Sequence, residues 1–439
     1  MPPDWGGIAS TDMNWGTPAE GHFFERVGEQ HYRLDVPECS ALFDLDRIWR
    51  DRHELCGELV VTCSLKGSRG FDGNIYSGHV NLSSAYRRRD VCARLKDRAN
   101  TASTVDWDGL LDELAARVVR AERDGRPAQL LHTFDKPKPD EVFNLEGLVL
   151  PKRHPAILFG DGGSFKSFLG LYVAGWLGQL GINTLYCDWE LEGPDHRERL
   201  ERLFGAEMPP VFYLRLNRPM VDEVDGIRRE VEKHRIEYVV CDSIAFATAG
   251  APESAEAAMA YFRAVRQLGV GSVHLAHVVK AKEDAADPTR PFGSTFWHNS
   301  ARSTWFVKRA DSATDGRIVV ALYNKKNNLG RSHPAVGIEV EFTDTRTSLT
   351  RVDVADVDEL AASLPVWHRM KRALERGPMT LAALAEEIGP ASGDEVARAK
   401  FIDTMSREVR RKTKTFTKLT NTAEGFHKIA LVSSRSEVA

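Results

Sequence analysis

The chain has 439 residues, 42% hydrophobic and 28% charged, with a formal net charge of −4; this excludes collagen-like, mucin-like and wholly disordered chains and suits roughly three domains. Its six cysteines (Cys39, Cys56, Cys63, Cys92, Cys187 and Cys241) form no CxxC pair, so a reducing cytoplasm is expected rather than a disulfide framework or zinc ribbon. From Arg369 onward 14 Lys/Arg stand against 9 Asp/Glu, leaving +5 on the tail and −9 on the rest, a basic end of the kind that faces nucleic acid.

Residues 1–30 are rich in Gly, Pro and small polar residues and read as a disordered leader. They carry no basic n-region before an apolar core, and no stretch of the chain reaches about 18 apolar residues, so neither secretion nor a membrane partner is expected. Residues 31–145 read as an α+β module. Gly57–Leu65 alternates like a strand, Asp106–Arg123 has helical spacing, and Tyr86–Arg98 is a basic patch able to touch phosphate. Pro127, Pro137 and Pro139 mark Gly125–Glu141 as a linker.

Over residues 146–358 short apolar runs alternate with helix-length segments. Strands are expected at Ala156–Phe159, Thr184–Trp189, Val211–Leu216, Tyr238–Cys241 and Ser272–His277, with helices over Lys166–Leu180, Val221–His234 and Glu253–Leu268. Such alternation requires crossovers onto a mostly parallel sheet buried on both faces. Arg317–Asn324 and Ala335–Phe342 would extend it.

Directly after the first of these strands comes Gly160, Asp161, Gly162, Gly163, Ser164, Phe165, Lys166 and Ser167, with Phe168 opening a helix read as amphipathic. This is GxxxxGK[ST] with Phe165 in place of the second glycine. Glycines let backbone N–H groups curl round a phosphate, and the helix N-terminus adds its dipole. Lys166 is then expected to pair with the β- and γ-phosphates of ATP, and Ser167 to ligate Mg2+. Asp242, at the end of an apolar strand, is the second expected Mg2+ partner. Glu190, at the carboxyl edge of the second strand, is the expected base for the attacking water; Asp188, on the same face by strand alternation, is its competitor.

In order, the Gly160–Ser167 loop, Glu190, Asp242 and His277 with Lys280 resemble the RecA-like ATPase core, closest to the RepA-type hexameric helicase ATPases of plasmids and phages. Pro291–Arg309 and Tyr323–Gly330 resemble further elements of that family. The resemblance spans Pro151–Phe342. It implies a γ-phosphate sensor at His277, an arginine finger at Arg302 and a second cation at Lys326, both reaching an ATP held by a neighbouring subunit. It also implies a hexamer whose channel grips single-stranded DNA, for which Lys280, Lys282 and Arg290, interleaved with aromatics, are the candidates. Asn328 and Phe165 depart from the family pattern.

Residues 359–439 read as three helices, Pro365–Gly377, Thr380–Gly389 and Ala397–Thr413, then two strands around the turn Asn421–Gly425. They resemble a winged helix-turn-helix able to meet duplex DNA, with Arg407, Arg410, Arg411, Lys412 and Lys414 as candidate contacts. The leading expectation is an ATP-hydrolysing DNA motor of a mobile element, acting in DNA replication. The alternatives are a DNA-binding or defence-related regulator that uses ATP as an assembly switch and, more remotely, a small-molecule kinase.

Overall fold

The computed structural model describes residues 21–28, 30–99, 105–125, 128–135, 141–278, 295–310, 316–361, 363–389, 395–411, 415–420 and 427–432. Two compact units divide the chain, residues 1–136 and 137–439.

In the first unit five strands pair antiparallel in chain order: β1 (Phe23–Gly28), β2 (His31–Val36), β3 (Ala41–Asp51), β4 (Glu54–Cys63) and β5 (Asn74–Asn81). Alternate residues such as Leu34, Phe43, Leu59 and Val61 are buried, and they share one core with the apolar stripes of α1 (Ala85–Arg98) and α2 (Trp107–Asp124). The Ser84 and Asp106 side chains cap these helices by accepting from the Arg87 and Gly109 amides. Strand β1 lies inside the segment expected to be a disordered leader. Its Phe24 stacks on Tyr32 at 5.8 Å, so pairing and aromatic burial order residues 23–28; residues 1–20 lie outside the described residues. The basic patch is α1. Two of its cations are already paired with α2, Arg88 with Asp112 and Lys96 with Asp108.

The second unit opens with a hairpin, β6 (Val142–Leu145) and β7 (Leu148–Pro151), that leads into β8 (Pro155–Gly160). Then follow α3 (Lys166–Gln179), β9 (Thr184–Asp188), α4 (Gly193–Phe204), β10 (Phe212–Arg215), α5 (Met220–Lys233), β11 (Tyr238–Asp242), α6 (Ile244–Ala247), α7 (Ala255–Gln267) and β12 (Gly271–His277). The short α8 (Thr295–Ser300) precedes β13 (Ser303–Arg309), β14 (Arg317–Asn327), β15 (Val336–Phe342) and β16 (Thr347–Val352).

These strands form one nine-stranded sheet in the order β10-β9-β11-β12-β8-β13-β14-β15-β16. The six from β10 to β13 are parallel and the last three antiparallel. This is the RecA-like α/β arrangement, in which one strand, β12, separates the strand leading to the glycine-rich loop from the strand ending in Asp242. Both faces are buried. Ile157, Phe159, Leu185 and Val239 meet α5 and α7 on one side, while Ala156, Leu158, Tyr186 and Val240 meet α3 and α4 on the other.

Helix α3 is not amphipathic as expected. It has no charged residue after Lys166 and is buried along most of its length, because α4 and β6–β7 cover the side that a surface helix would expose. Strands β13 and β16 and helix α4 had no counterpart among the expected elements.

Toward the C-terminus a one-turn helix α9 (Asp358–Ala361) precedes α10 (Val366–Glu375), β17 (Met379–Thr380), α11 (Leu381–Ile388), α12 (Glu395–Arg410), β18 (Phe416–Thr420) and β19 (His427–Leu431). The three helices pack round Met370, Leu374, Leu384 and Met405 against a small sheet in the order β17-β19-β18. Strand β17, two residues long, was not expected from the sequence. Among the described residues no helix is long and apolar enough to cross a membrane.

Leu158 is fully buried at the centre of the main sheet. Leu158→Ala is expected to lower the stability of the second unit by about 2–5 kcal/mol, read from the shift of its unfolding transition in urea.

Candidate functional site

Parallel pairing delivers the ends of β8, β9, β11 and β12 to one edge of the sheet, and a cleft of about 760 Å³ opens there. Gly160 ends β8 because nothing larger fits: a Cβ would stand 2.2 Å from the Val307 carbonyl oxygen of β13. The loop then turns through Gly163, at φ +72°, and Phe165, at φ +75°.

Phe165 stands where a glycine is usual, and its backbone adopts the left-handed conformation that glycine favours. Its ring compensates. It stacks on Phe168 at 5.1 Å and meets Phe342 edge-on at 6.0 Å, which leaves it buried. The cradle itself is clear, since Cβ atoms built at Gly162 and Gly163 would meet nothing within 4 Å.

Lys166 heads α3 and donates from Nζ to the Gly160 and Asp161 carbonyl oxygens at 2.9 and 2.7 Å and to Ser164 Oγ at 3.2 Å. Burial pushes its pKa down to about 8 against the opposing charges of Asp242, Asp161 and Glu190. A phosphate beside it would restore its affinity for the proton. Asp242 is buried at the end of β11, where the Ser167 side chain and the Tyr186 hydroxyl, at 2.8 Å, both hydrogen-bond to it. Burial raises its pKa to about 6 despite those bonds, so it is an acid whose charge gains from a cation. One hydroxyl and one carboxylate form a hard oxygen pair of the kind that holds Mg2+ together with substrate phosphates and water. Loop, lysine and oxygen pair therefore fit a Mg-nucleotide.

Glu190 also lines the cleft, and the Ser243 hydroxyl donates to its carboxylate. The strand that leads to it ends earlier than expected, at Asp188, so the alternation that put Asp188 and Glu190 on one face does not extend so far. Asp188 is wholly buried and accepts from the Glu190 and Leu191 amides at 2.9 and 3.0 Å. Those bonds turn it into the protein and leave Glu190 as the carboxylate in the cleft. His277, the last residue of β12, lines the same cleft; burial and then the charge of Lys166 keep its pKa below the usual value.

Several cleft residues carried no signal in the sequence. Arg309 ends β13 and donates to the Gly163 carbonyl oxygen at 3.4 Å. Arg199 of α4 lies over the Phe168 ring at 4.9 Å, and Phe342 and Arg317 close the far wall. They come from strands and helices distant in sequence, and no motif spacing marks them.

Arg302 and Lys326 lie elsewhere. Parallel register pairs Ser303 with Ala156, and antiparallel register pairs Thr304 with Lys326, so both cations sit at the opposite edge of the sheet from their own chain's loop. Arg302 is exposed. Lys326 instead donates to the carbonyl oxygens of His298, Asn299 and Ala301 at 2.8–2.9 Å. That satisfies all three ammonium hydrogens at the end of α8.

Lys280, Lys282 and Arg290 lie outside the described residues, as do Lys412 and Lys414. On α12, Arg407 is paired with Asp403, Arg411 just beyond the helix is paired with Glu408, and Arg410 is exposed. Intrahelical pairing thus neutralises two of the cations expected to face DNA.

Residues 121–283 match the AAA domain family. The chain carries a P-loop ATPase domain. Among solved structures it is similar to the ATPase domain of a phage helicase, at 14% identity and a TM-score of 0.37 over 46% of this chain and 85% of that one. It is also similar to a KaiC-like protein from Pyrococcus horikoshii OT3, at 13% identity and a TM-score of 0.36 over 46% of this chain and 91% of that one. No curated protein matches the sequence.

Two effects oppose each other at Phe165. Glycine there would relieve backbone strain of about 1–3 kcal/mol but would forfeit aromatic burial worth about 3–5 kcal/mol. Packing wins, so Phe165→Gly is expected to lower the melting temperature, measured by differential scanning calorimetry.

Proposed function

We propose that the protein is an oligomeric ATPase acting on DNA, with its reaction centred on the edge where Lys166, Ser167, Glu190, Asp242 and His277 converge. That convergence, from four strands and one loop, carries the reading. Lys166 and the loop amides hold the β- and γ-phosphates, and Ser167 and Asp242 hold Mg2+, which when bound neutralises the phosphate oxygens. Glu190 orients the attacking water and takes its proton, with Ser243 fixing the carboxylate. His277 lies where loss of the γ-phosphate would be felt at the loop that follows β12. Arg309 and the Phe342 wall suit the remainder of the nucleotide.

Arg302 is the cation free to act on a neighbouring subunit, and its exposure at the opposite edge supports a finger supplied in trans. Lys326 drops out of this reading because its donors are engaged at α8. A ring of such subunits, favoured as a hexamer, would make hydrolysis depend on assembly. The order helix, strand, helix, helix, strand, strand over residues 366–431 supports a winged helix that meets duplex DNA, with Arg410 its most accessible cation. Single-stranded DNA in the channel, and a place in plasmid or phage replication, complete the proposal.

Lys166→Ala is expected to lower ATP turnover by about 10²–10³-fold, and retained turnover would remove the site assignment. Arg302→Ala should bind nucleotide normally but hydrolyse poorly, and mixing it with Lys166→Ala subunits should restore turnover if the finger acts across an interface. DNA-stimulated turnover with strand displacement supports a motor. ATP-dependent assembly without displacement would favour a regulatory switch.

A further inference from the structure

Asp188 sits beside Glu190 but does not share its chemistry. Its carboxylate is fully buried and receives four groups from three directions. The Glu190 and Leu191 amides arrive from the turn after β9, at 2.9 and 3.0 Å. His196 Nε2 arrives from α4 at 2.9 Å, and the Tyr213 hydroxyl of β10 lies 3.2 Å away. Tyr213 also stands 3.0 Å from the Leu191 carbonyl oxygen, so one side chain touches both the anchor and the turn it holds.

His196 is only 4% exposed, and its Nδ1 has no partner among the described residues. A buried N–H left unpaired is more costly than an unpaired lone pair, which assigns the single proton to Nε2, facing Asp188. The ring is held between Tyr186 at 4.7 Å and Tyr213 at 5.7 Å. Tyr186 in turn donates to Asp242. Burial alone would raise the Asp188 pKa; the His196 and backbone hydrogen bonds outweigh it and hold the group below the usual carboxylate value. The result is a fixed buried anion.

We infer that Asp188, oriented by His196 and Tyr213, is a positioning residue that fixes the Glu190 turn and so sets where the Glu190 carboxylate meets the attacking water. The inference rests on the proposed role of Glu190. A strand-end turn has few ways to fix its backbone, and here two successive amides are pinned to one anion that cannot move without breaking the contacts to α4 and β10. Misplacing a reacting group by about 1 Å is enough to cost on the order of 10²-fold in rate.

The test is steady-state ATP hydrolysis by the full chain, with melting temperature and nucleotide affinity measured alongside. His196→Phe keeps the ring and removes the bond to Asp188; kcat should fall about tenfold or more while KM for ATP stays within about twofold. His196→Gln, whose amide can occupy the Nε2 position, should recover most of the loss. Tyr213→Phe removes a single hydroxyl, and a smaller fall in kcat is expected; it carries the test if His196→Phe does not fold. In a Glu190→Gln background His196→Phe should cause no further loss, since there is no base left to misplace.

A kcat within about twofold of the parent in both His196→Phe and Tyr213→Phe, or a loss that multiplies in the Glu190→Gln background, would overturn the inference while leaving Glu190 in place. Undiminished turnover in Glu190→Gln itself would overturn the catalytic assignment and this inference together.

Discussion

Parallel pairing of β8 with β12 and β13, and of β11 with β9 and β12, is the constraint on which the rest of the molecule depends. Parallel strands end together, so residues more than a hundred positions apart, from Lys166 to His277, arrive at one edge. Because both faces of the sheet are covered, the edge is the one place where polar groups can gather without disturbing the core. The close approach of β13 to β8 shows how tight the arrangement is: Gly160 lies so near the Val307 carbonyl that a methyl group has no room.

Charge at that edge is arranged by burial. Lys166 and Asp242 are both taken from water, which weakens the hold of each on its charged form. Each would regain that charge from the group it is proposed to meet, phosphate for the lysine and a divalent cation for the carboxylate. Asp188 is treated in the opposite way. Supplied with hydrogen bonds on every side, it stays ionised and immobile, and a buried charge so satisfied is a fixture of the fold rather than a reactant.

Much of this was legible beforehand. The alternation of apolar runs and helical segments located the parallel strands within a residue or two, and the Gly160–Ser167 spacing located the loop. What failed to show has identifiable causes. Strand β1 was hidden in a leader of biased composition, and β13 in a segment read only for its charged and aromatic residues. The buried helix α3 carries no polar stripe, so its apolar run gave no sign of what would cover it. Asp188 and Glu190 could not be separated by strand alternation, because the strand ends between them.

The sequence by itself determined the class of the core, the loop and the identity of Lys166, Ser167 and Asp242, since these follow from local periodicity and from chemistry carried by adjacent residues. Only the tertiary structure decided which acid faces the cleft, because that depends on His196 and Tyr213 reaching Asp188 from other elements. It likewise decided that Lys326 serves the end of α8 and that Arg309 joins the loop. A charge in a sequence has no direction until packing assigns it a partner, and these side chains find theirs across distances that local spacing does not encode.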